Sequence, residues 1–366
     1  MDFAFSEEHE MLRSSAQSWL GERMPEERVA ELADSDEGWD PGSWSEIAEL
    51  GWTGLSIPEE SGGSGMGFLA EAIIFEELGR SLYPGPYLST IALALPSLRF
   101  DPAAVKEVAT GASTATLAWA EPGEATYMGD PPSTSASESN GEWTLSGTKH
   151  LIPDVGIVDR AVVTASDRRG PGLWLVSLDG RGVERTVSRT VDGTRRLGTL
   201  VLDAAPAALL VGPESYTDVL EETRIRALVA CALESVGIAS HVLSLSTAYV
   251  SERKQFDKPI GAYQAVSHQL SNTYMETELA RSLSYWAAWS LDAEDDNRAI
   301  AAAAAKSAAG ETAVHACERA IQVHGGIGFT WEHILHRYYR RAQWLDSFEG
   351  FGAPQRAAVA AHLLDD

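Results

Sequence analysis

The sequence predicts an α+β protein in which a β domain separates two helical domains. Three observations support this class: helical periodicity over the first hundred residues, short strand-like runs from about residue 114, and long periodic segments from about residue 215 onward. We expect domains at residues 1–113, 114–212 and 213–366. A chain of 366 residues, 44% of them hydrophobic, is long and apolar enough to bury cores of this size.

The N-terminal domain is predicted to consist of helices joined by a turn-rich link. Apolar residues recur at helical spacing near its start, namely Phe5, Met11, Leu12, Trp19 and Leu20. Pro58 and the glycines that follow it as far as Gly67 mark the link. From Leu69 the segment LAEAIIFEELGRSL is rich in strong helix formers, and we expect Gly79 or Pro84 to end this helix.

The middle domain is predicted to consist of short strands. Runs rich in Val, Leu, Thr and Trp alternate with clusters of Gly, Pro, Asp and Ser over residues 114–211. The strand-like runs are ATLAWAE, EWTLSGTKHLI, RAVVTA, GLWLVSL, VERTV and LGTLVLD. The piece MGDPPSTSASESNG between the first two predicts a loop.

The C-terminal domain is predicted to contain three long helices, one from about residue 215 and two more over about 263–291 and 297–323. The first of them carries apolar residues on a wide face for many turns. The second is expected to end at the acidic stretch DAEDD.

Charge and cysteine content exclude several classes of protein. The 53 acidic and 28 basic residues give a formal net charge of -25, so nucleic acid and anionic membrane surfaces are poor partners. Cys231 and Cys317 each lie alone in an apolar helical pattern, without CxxC or Cys/His ligand spacing. We therefore expect both thiols to be reduced, buried and structural, and we expect no metal site.

The compartment is expected to be the cytoplasm. The start, MDFAFSEEHEML, is acidic where a secretory leader needs a basic region. We also see no apolar run of the length of a membrane span, since Lys306 interrupts the alanine-rich stretch that begins at Ala299.

Two long motifs carry a resemblance to a known family. SERKQFDKPIGAYQAVSHQLS resembles the Arg-x-x-Phe-x-x-x-Ile-x-x-x-Gln signature of acyl-CoA dehydrogenases, and AIQVHGGIGFTWEHILHRYYRRAQ resembles their Gln-x-x-Gly-Gly-x-Gly-Phe signature. The phrase ELGWTGLSIPEESGGSGMGFLAEAIIFEELGRSL resembles their N-terminal helical domain. The resemblance covers essentially the whole chain in the right order, and it implies a middle β-barrel or sandwich and a C-terminal four-helix bundle.

The resemblance implies a flavin enzyme that oxidises the Cα–Cβ bond of an acyl-CoA thioester to the enoyl-CoA. FAD would lie between the β domain and the C-terminal helices and would reach a neighbouring subunit of a homo- or heterotetramer. Electrons would then leave to an electron-transferring flavoprotein. Lipid or steroid catabolism is the setting that the family suggests.

The first motif implies contacts with the cofactor across the subunit boundary. By resemblance, Arg253, Gln255 and Phe256 contact FAD and Gln264 reaches its adenosine end. A planar guanidinium can fork onto a diphosphate. The alternatives are that Arg253 caps the end of a helix and that Gln264 is simply solvated.

The second motif implies a backbone site. Gly325 and Gly326 allow a ligand to approach their N–H groups closely, and Gln322 supplies an amide one turn earlier. A glycine pair is also a common helix stop, and both roles can coexist. We expect Trp331, His333, His336 and Tyr338 to pack and form hydrogen bonds rather than bind metal, as no acidic or Cys partner completes a metal set.

The reaction needs a carboxylate that takes the α-proton, and two glutamates qualify by resemblance. Glu349 lies in Phe348-Glu349-Gly350, where many members have aromatic-Glu-Gly with the base. The family usually continues with Thr and Gln, whereas Phe351 and Ala353 follow here. The alternative is an exposed glutamate in a turn.

The second candidate base is Glu234, within the apolar run VACALESVGIASHV. Some members place the base about two helical turns before this point, where this chain has Ala227, and seven residues keep Glu234 on roughly the same helix face. A buried Glu paired with an arginine is the alternative.

The β domain departs most from the family pattern. The sequence LIP at residues 151–153 replaces Trp-Ile-Thr, so Pro153 supplies neither a hydroxyl nor an N–H to the flavin. Glu121-Pro122 is kept, but the Gly-Ser-Asp that normally follows is missing. This pattern resembles one subunit type of bacterial α2β2 members. Three hypotheses for the function stay open. The chain is a dehydrogenase subunit that needs a different partner, an ordinary homo-oligomeric dehydrogenase, or a non-catalytic partner or scaffold subunit that completes the FAD site of a homologous chain.

Overall fold

The computed structural model describes residues 5–123 and 127–364, and its elements follow the predicted order of helices, strands and helices. The predicted α+β class is confirmed. The N-terminal α-helices are α1 (Glu7–Arg23), α2 (Glu26–Asp34), α3 (Pro41–Glu49), α4 (Phe68–Ser81), α5 (Leu95–Leu98) and α6 (Pro102–Ala109). A π-helical segment, Leu88–Ala94, runs directly into α5.

Among the residues that the structure describes, seven strands follow, and one of them was not predicted. They are β1 (Ala115–Ala118), β2 (Ser135–Ser139), β3 (Glu142–Pro153), β4 (Arg160–Asp167), β5 (Gly170–Ser177), β6 (Val183–Ser188) and β7 (Leu197–Val211). Strand β2 lies inside the segment predicted as a loop, so that prediction was wrong in part. Asn140 and Gly141 join β2 to β3 with φ of 55° and 82°, the backbone of a tight two-residue hairpin that aligns Ser139 with Glu142.

The strands close into a barrel. Strand β3 pairs with β7, β7 with β5, β5 with β4, and β2 with β3, while a single parallel pair, Ser135 with Ser166, joins β2 to β4. Strand β1 adds to β4 and β6 adds to β7. The barrel interior is filled by apolar side chains that alternate along the strands, among them Leu145, Ile152, Val163, Trp174, Val176 and Leu200.

The C-terminal helices confirm the three long periodic segments. They are α7 (Pro213–Glu252), α8 (Gln264–Asp292) and α9 (Arg298–His324), followed by the shorter α10 (Leu335–Ser347) and α11 (Gly352–Leu364). Between α7 and α8 lies a small hairpin of β8 (Lys254–Gln255) and β9 (Lys258–Pro259).

Helix α7 corrects an expectation about apolar runs. By length and composition it could cross a membrane, with a mean hydropathy of 1.7 over its most apolar 18-residue window. Within the described residues, 78% of that window is buried inside the protein, as in the core helix of a large domain. Both cysteines are buried and unbridged, as predicted.

Backbone packing divides the chain into two compact units. The helical unit contains the described residues of Met1–Asp34, Phe68–Tyr83 and Leu228–Asp366, and the β unit contains the described residues of Ser35–Gly67 and Pro84–Ala227. The three domain boundaries expected from the sequence stay a prediction.

Within the helical unit, two glycines bring α4 and α7 together. A Cβ on Gly79 would lie closer than 3.0 Å to the backbone of Glu234, and a Cβ on Gly237 would lie equally close to the backbone of Glu76. Of the two helix stops predicted, Gly79 and Pro84, Gly79 lies inside α4, where its role is close helix packing. The helix ends at Ser81, before Leu82 takes a φ of 53°.

Candidate cofactor and active site

The first family motif folds as a strained hairpin directly after α7. Phe256 and Asp257 occupy its two-residue turn with φ of 52° and 64°, a left-handed conformation that is costly for a phenylalanine. The Phe256 ring is 89% exposed at the tip. Strain of this kind persists where the surrounding structure and a function require it.

Arg253 begins this hairpin and presents a free guanidinium. Its backbone N–H donates to Tyr249 O at 2.8 Å, and its carbonyl accepts from the Ile260 N–H at 2.8 Å. The side chain is exposed, and no described residue forms a hydrogen bond or ion pair with it. All five guanidinium N–H donors are thus available to an anionic ligand.

The other predicted cofactor residues of this motif are also exposed. Gln255 lies in β8 and Gln264 is the first residue of α8. Tyr263 connects them, because its hydroxyl donates to Gln255 O at 3.2 Å and it immediately precedes Gln264. The structure thus brings Arg253, Gln255 and Gln264 into one small exposed region.

The second motif ends α9 and leaves an open backbone. Gly325 is the C-cap, with φ of 64° and an N–H that donates to Gln322 O and Ile321 O. A Cβ on Gly325 or Gly326 would meet no atom within 4 Å, whereas a Cβ on Gly328 would lie 2.8 Å from Ile321 O. The helix-stop role of Gly325 and the open site therefore coexist.

Stacked rings connect the two motifs. The His324 ring lies 4.3 Å from the Tyr249 ring, at an interplanar angle of 21°, and its Nδ1 lies 2.8 Å from Ala320 O. The His333 ring meets His324 edge-on at 4.8 Å. Burial lowers the pKa of both histidines, which favours neutral rings that stack.

The aromatic and histidine residues after the glycines pack as expected. His336 Nε2 lies 3.3 Å from Trp331 O, and the Tyr338 hydroxyl donates to Arg80 O at 2.8 Å. Over residues 5–123 and 127–364, no group of three or more His, Cys, Asp and Glu side chains could hold a metal ion.

Glu349 lies in a strained turn after α10. Its φ is 52°, and Gly350 follows with φ of 85°. The side chain is half-buried, unlike the exposed turn glutamate of the alternative reading. Gln355 Nε2 donates to the Glu349 carbonyl at 2.9 Å and holds the turn in place from α11.

Glu234 has a different environment. Its Oε2 accepts a hydrogen bond from Arg341 Nη1 at 3.0 Å, and the two side chains are 2% and 0% exposed. This geometry matches the alternative stated above, in which Glu234 is a buried glutamate paired with an arginine. Glu234 thus lies in the core, and Glu349 lies in a half-buried turn.

One buried lysine near Glu349 was missed as a site residue. Lys306 in α9 is fully buried and donates through Nζ to Asp346 O at 2.9 Å. The available signal was a lone charge within a run of alanines, because a buried cation needs acidic or carbonyl partners.

In the β unit, residues 151–153 offer little to a flavin ring. Leu151 is 48% exposed with φ of 53°, where the pairing of β3 with β7 shifts register. Pro153 is buried, and its carbonyl already accepts from Thr116 Oγ1 at 2.7 Å. It has no N–H, as the sequence required.

Glu121, which matches the family pattern, is occupied by its own domain. Its carboxylate accepts a hydrogen bond from Lys149 Nζ at 2.6 Å. It also accepts hydrogen bonds from the backbone N–H groups and hydroxyls of Ser133 and Thr134. Glu121 thereby ties the two ends of the segment between β1 and β2 to β3.

Comparison with known proteins decides the family. The profile of the acyl-CoA dehydrogenase N-terminal domain matches residues 6–101, and that of the C-terminal domain matches residues 214–364. The chain is 30% identical, over the full length of both proteins, to the probable acyl-CoA dehydrogenase YngJ of Bacillus subtilis (strain 168). The chain belongs to the acyl-CoA dehydrogenase family.

Two solved structures share the fold over nearly the whole chain. A variant of the Tcur3481-Tcur3483 steroid ACAD is 30% identical with a TM-score of 0.87 and 98% of each chain covered. The ChsE4-ChsE5 complex from Mycobacterium tuberculosis is 25% identical with a TM-score of 0.89 and 100% of each chain covered. The protein is an acyl-CoA dehydrogenase, an oxidoreductase whose cofactor is FAD.

The described residues suit the diphosphate of FAD better than its flavin ring. In the helical unit, the free guanidinium of Arg253 and the open backbone at Gly325 and Gly326 suit a diphosphate. In the β unit, Pro153 provides no donor for a ring. The dinucleotide end of the cofactor fits this chain, and the flavin ring fits less well.

Proposed function

We propose that this chain catalyses the α,β-dehydrogenation of an acyl-CoA thioester with Glu349 as the base. The observation that carries the proposal is the left-handed backbone of Glu349, a strained conformation that Gln355 holds from α11. The competing Glu234 is occupied by Arg341 in the core. A half-buried carboxylate in a held turn is suited to proton abstraction, whereas a carboxylate inside a buried ion pair is not.

In the proposed reaction the Cα–H bond breaks and its proton passes to the Glu349 carboxylate. The electron pair forms the Cα=Cβ double bond as hydride leaves the β-carbon. FAD, when bound, supplies the hydride acceptor. The hydrogen bond from Gln355 fixes the backbone from which the Glu349 carboxylate extends, and a general base requires such positioning.

We assign the dinucleotide end of FAD to the helical unit. The Arg253 guanidinium would contact the diphosphate, with the N–H groups of Gly325 and Gly326 and the amide of Gln322 as further donors. Gln255, Phe256 and Gln264 would face the adenosine end. The exposure of the Arg253, Gln255 and Phe256 side chains supports the assignment.

We propose that the protein acts as a cytoplasmic tetramer and passes electrons to an electron-transferring flavoprotein. The helical unit exposes large apolar side chains that a partner chain would cover. They are Phe256, Tyr274, Met275, Leu279, Phe329 and Trp331. Both similar structures are named as a pair of differently numbered chains, which supports a heteromeric assembly. The first of them is named a steroid ACAD, which supports a steroid-type acyl group.

A second candidate function is favoured by Pro153. In this second reading the β unit of this chain holds no flavin ring, and the chain is the subunit of an acyl-CoA dehydrogenase that completes the FAD site of a homologous, catalytic partner. The occupied carbonyl and absent N–H of Pro153 support this reading.

The deciding experiment uses the full-length chain, purified alone and with any homologous chain that copurifies. We expect about one FAD per catalytic chain and oxidation of an acyl-CoA from a panel of short, branched and steroid-type thioesters. Glu349→Gln should abolish turnover while flavin stays bound. Full turnover in that variant overturns the assignment of the base, and a colourless chain that becomes active only with a partner establishes the second function.

A further inference from the structure

A lysine is buried beneath the turn that carries Glu349. Lys306 is fully buried in α9, among small alanine side chains. Its Nζ donates to Asp346 O in the last turn of α10, at 2.9 Å. Glu349 follows Asp346 by three residues, so this bond fixes the end of the helix from which the turn starts.

The same lysine faces acidic groups. Burial lowers the pKa of Lys306, and Cys231, Asp346 and Glu349 oppose that effect. An ammonium group at a fully buried position is costly, and nearby carboxylates offset the cost. Lys306 therefore interacts with Glu349 through space as well as through the helix end.

The Asp346 carboxylate adds to this arrangement. Asp346 is 9% exposed, and its Oδ1 has no hydrogen-bond partner among the described residues. Gly310 leaves room for this atom, since a Cβ there would lie 2.5 Å from it. Burial raises the pKa of Asp346, and the positive charge of Lys306 opposes this rise. Lys306 therefore acts on both Asp346 and Glu349.

We propose that Lys306 is a positioning residue for Glu349, holding the end of α10 and supplying the buried positive charge that favours the ionised base. The inference rests on the proposed role of Glu349. An apolar side chain would fill the same space among the alanines, but it would provide neither the bond to Asp346 O nor the charge. Among the described residues, the other charged or titratable groups that act on Asp346 are Glu311 and His315 on α9 and Arg356 on α11.

The test is the pH dependence of kcat/KM in the flavin-loaded enzyme carrying Lys306→Met. Loss of the cation makes proton uptake by Glu349 easier, so the acidic limb should move to higher pH by about one unit. Turnover should fall about tenfold on that limb and recover at higher pH. Hydrogen exchange of the 345–351 backbone should also become faster.

Arg356→Met is the matched control. It removes a cation that acts on Asp346 from α11 but is not among the groups that act on Lys306. The acidic limb of its kcat/KM profile should lie at the same pH as that of the wild type. An unchanged limb and unchanged exchange in folded, flavin-bound Lys306→Met overturn the inference.

A second variant covers the case in which Lys306→Met does not fold. Glu349→Gln removes one of the carboxylates that offset the cost of burying the Lys306 ammonium. The thermal midpoint of this variant should therefore fall below that of the wild type near pH 7. An equal or higher midpoint overturns the inference. Turnover distinguishes the role of Glu349 as base from the role of Lys306. If the Glu349→Gln enzyme is active, Glu349 is not the base. If Glu349→Gln is inactive and the pH profile of Lys306→Met matches the wild type, only the role of Lys306 is rejected.

Discussion

Arg341 and Glu234 form a buried ion pair that joins α10 to α7, with Nη1 3.0 Å from Oε2. Neither side chain is more than 2% exposed. A pair of this kind adds little net stability compared with apolar packing, but removal of one partner leaves a buried charge without compensation. The glutamate that sequence resemblance offers as a base is thereby part of the core.

Glu234→Ala should destabilise the protein without abolishing catalysis. We expect the free energy of unfolding to fall by about 3–5 kcal/mol, because the buried Arg341 loses its ion pair with Glu234. Urea unfolding followed by circular dichroism measures this change. The double variant Glu234→Leu with Arg341→Met is the control and should recover much of the loss. A stable Glu234→Ala protein without turnover would reverse the assignment of the base.

Gly79→Ala should disrupt the contact between α4 and α7. The new Cβ would meet the Glu234 backbone, which cannot rotate away, and overpacking of this kind costs about 1–3 kcal/mol or more. Gly21→Ala in α1 is the matched control, because a Cβ there meets no atom within 4 Å. Alanine is the better helix former by about 1 kcal/mol, so the control should raise the thermal midpoint. Equal shifts of the thermal midpoint in the two variants would show that helix propensity alone determines the effect of the substitution.

The sequence predicts the long elements well and their special positions less well. Helices α7, α8 and α9 follow from periodicity, although α8 buries mainly small Thr, Ser and Ala side chains and leaves Tyr274, Met275 and Leu279 exposed. Strand β2 was missed because its sequence, SASES, has no apolar alternation and its place depends on the turn at Asn140 and Gly141. An Asn-Gly pair beside strand-like residues is nevertheless a hairpin signal, and here it forms the β2–β3 turn.

The candidate site shows the same division. The exposed segments around Arg253 and Gly325 could be singled out from their resemblance to the family signatures. The partners of the two glutamates could not, because Arg341 is 107 residues from Glu234 and Lys306 lies on a different helix from Glu349. Such pairings depend on how the helices pack, which periodicity leaves undetermined.

The pair of Lys149 and Glu121 should make the β unit sensitive to acid. Burial opposes ionisation of Glu121, but hydrogen bonds from Lys149, Ser133 and Thr134 lower its pKa from 4.5 to about 2. A carboxylate with a lowered native pKa contributes stability above about pH 4.5 and loses it as pH falls toward 2. Burial also lowers the pKa of Lys149, to about 8, so its own contribution rises with pH between about 8 and 10.5.

Glu121→Gln measures this contribution. Its unfolding free energy at pH 6 should be lower than that of the wild type by about 3 kcal/mol, because Lys149 stays buried without a counter-ion. The difference should shrink as pH approaches 2, where the wild-type carboxylate is also protonated. Asp179→Asn removes an exposed carboxylate of the same unit and serves as the control. A difference that does not vary with pH would mean that the hydrogen bonds matter and the charge does not.

Arg253→Ala should weaken the retention of FAD without unfolding the chain. The guanidinium is exposed and forms no hydrogen bond or ion pair with any described residue, so we expect its removal to leave the fold intact. A charge-assisted bond to a phosphate contributes about 1.5–3 kcal/mol, which corresponds to roughly a tenfold to hundredfold weaker Kd. Flavin fluorescence during dialysis of the assembled protein measures this loss. Lys254→Ala removes the adjacent exposed cation and should retain FAD, because ammonium lacks the planar fork. Equal losses in both variants would assign the effect to general charge at the hairpin, and no loss in Arg253→Ala would remove this residue from the cofactor site.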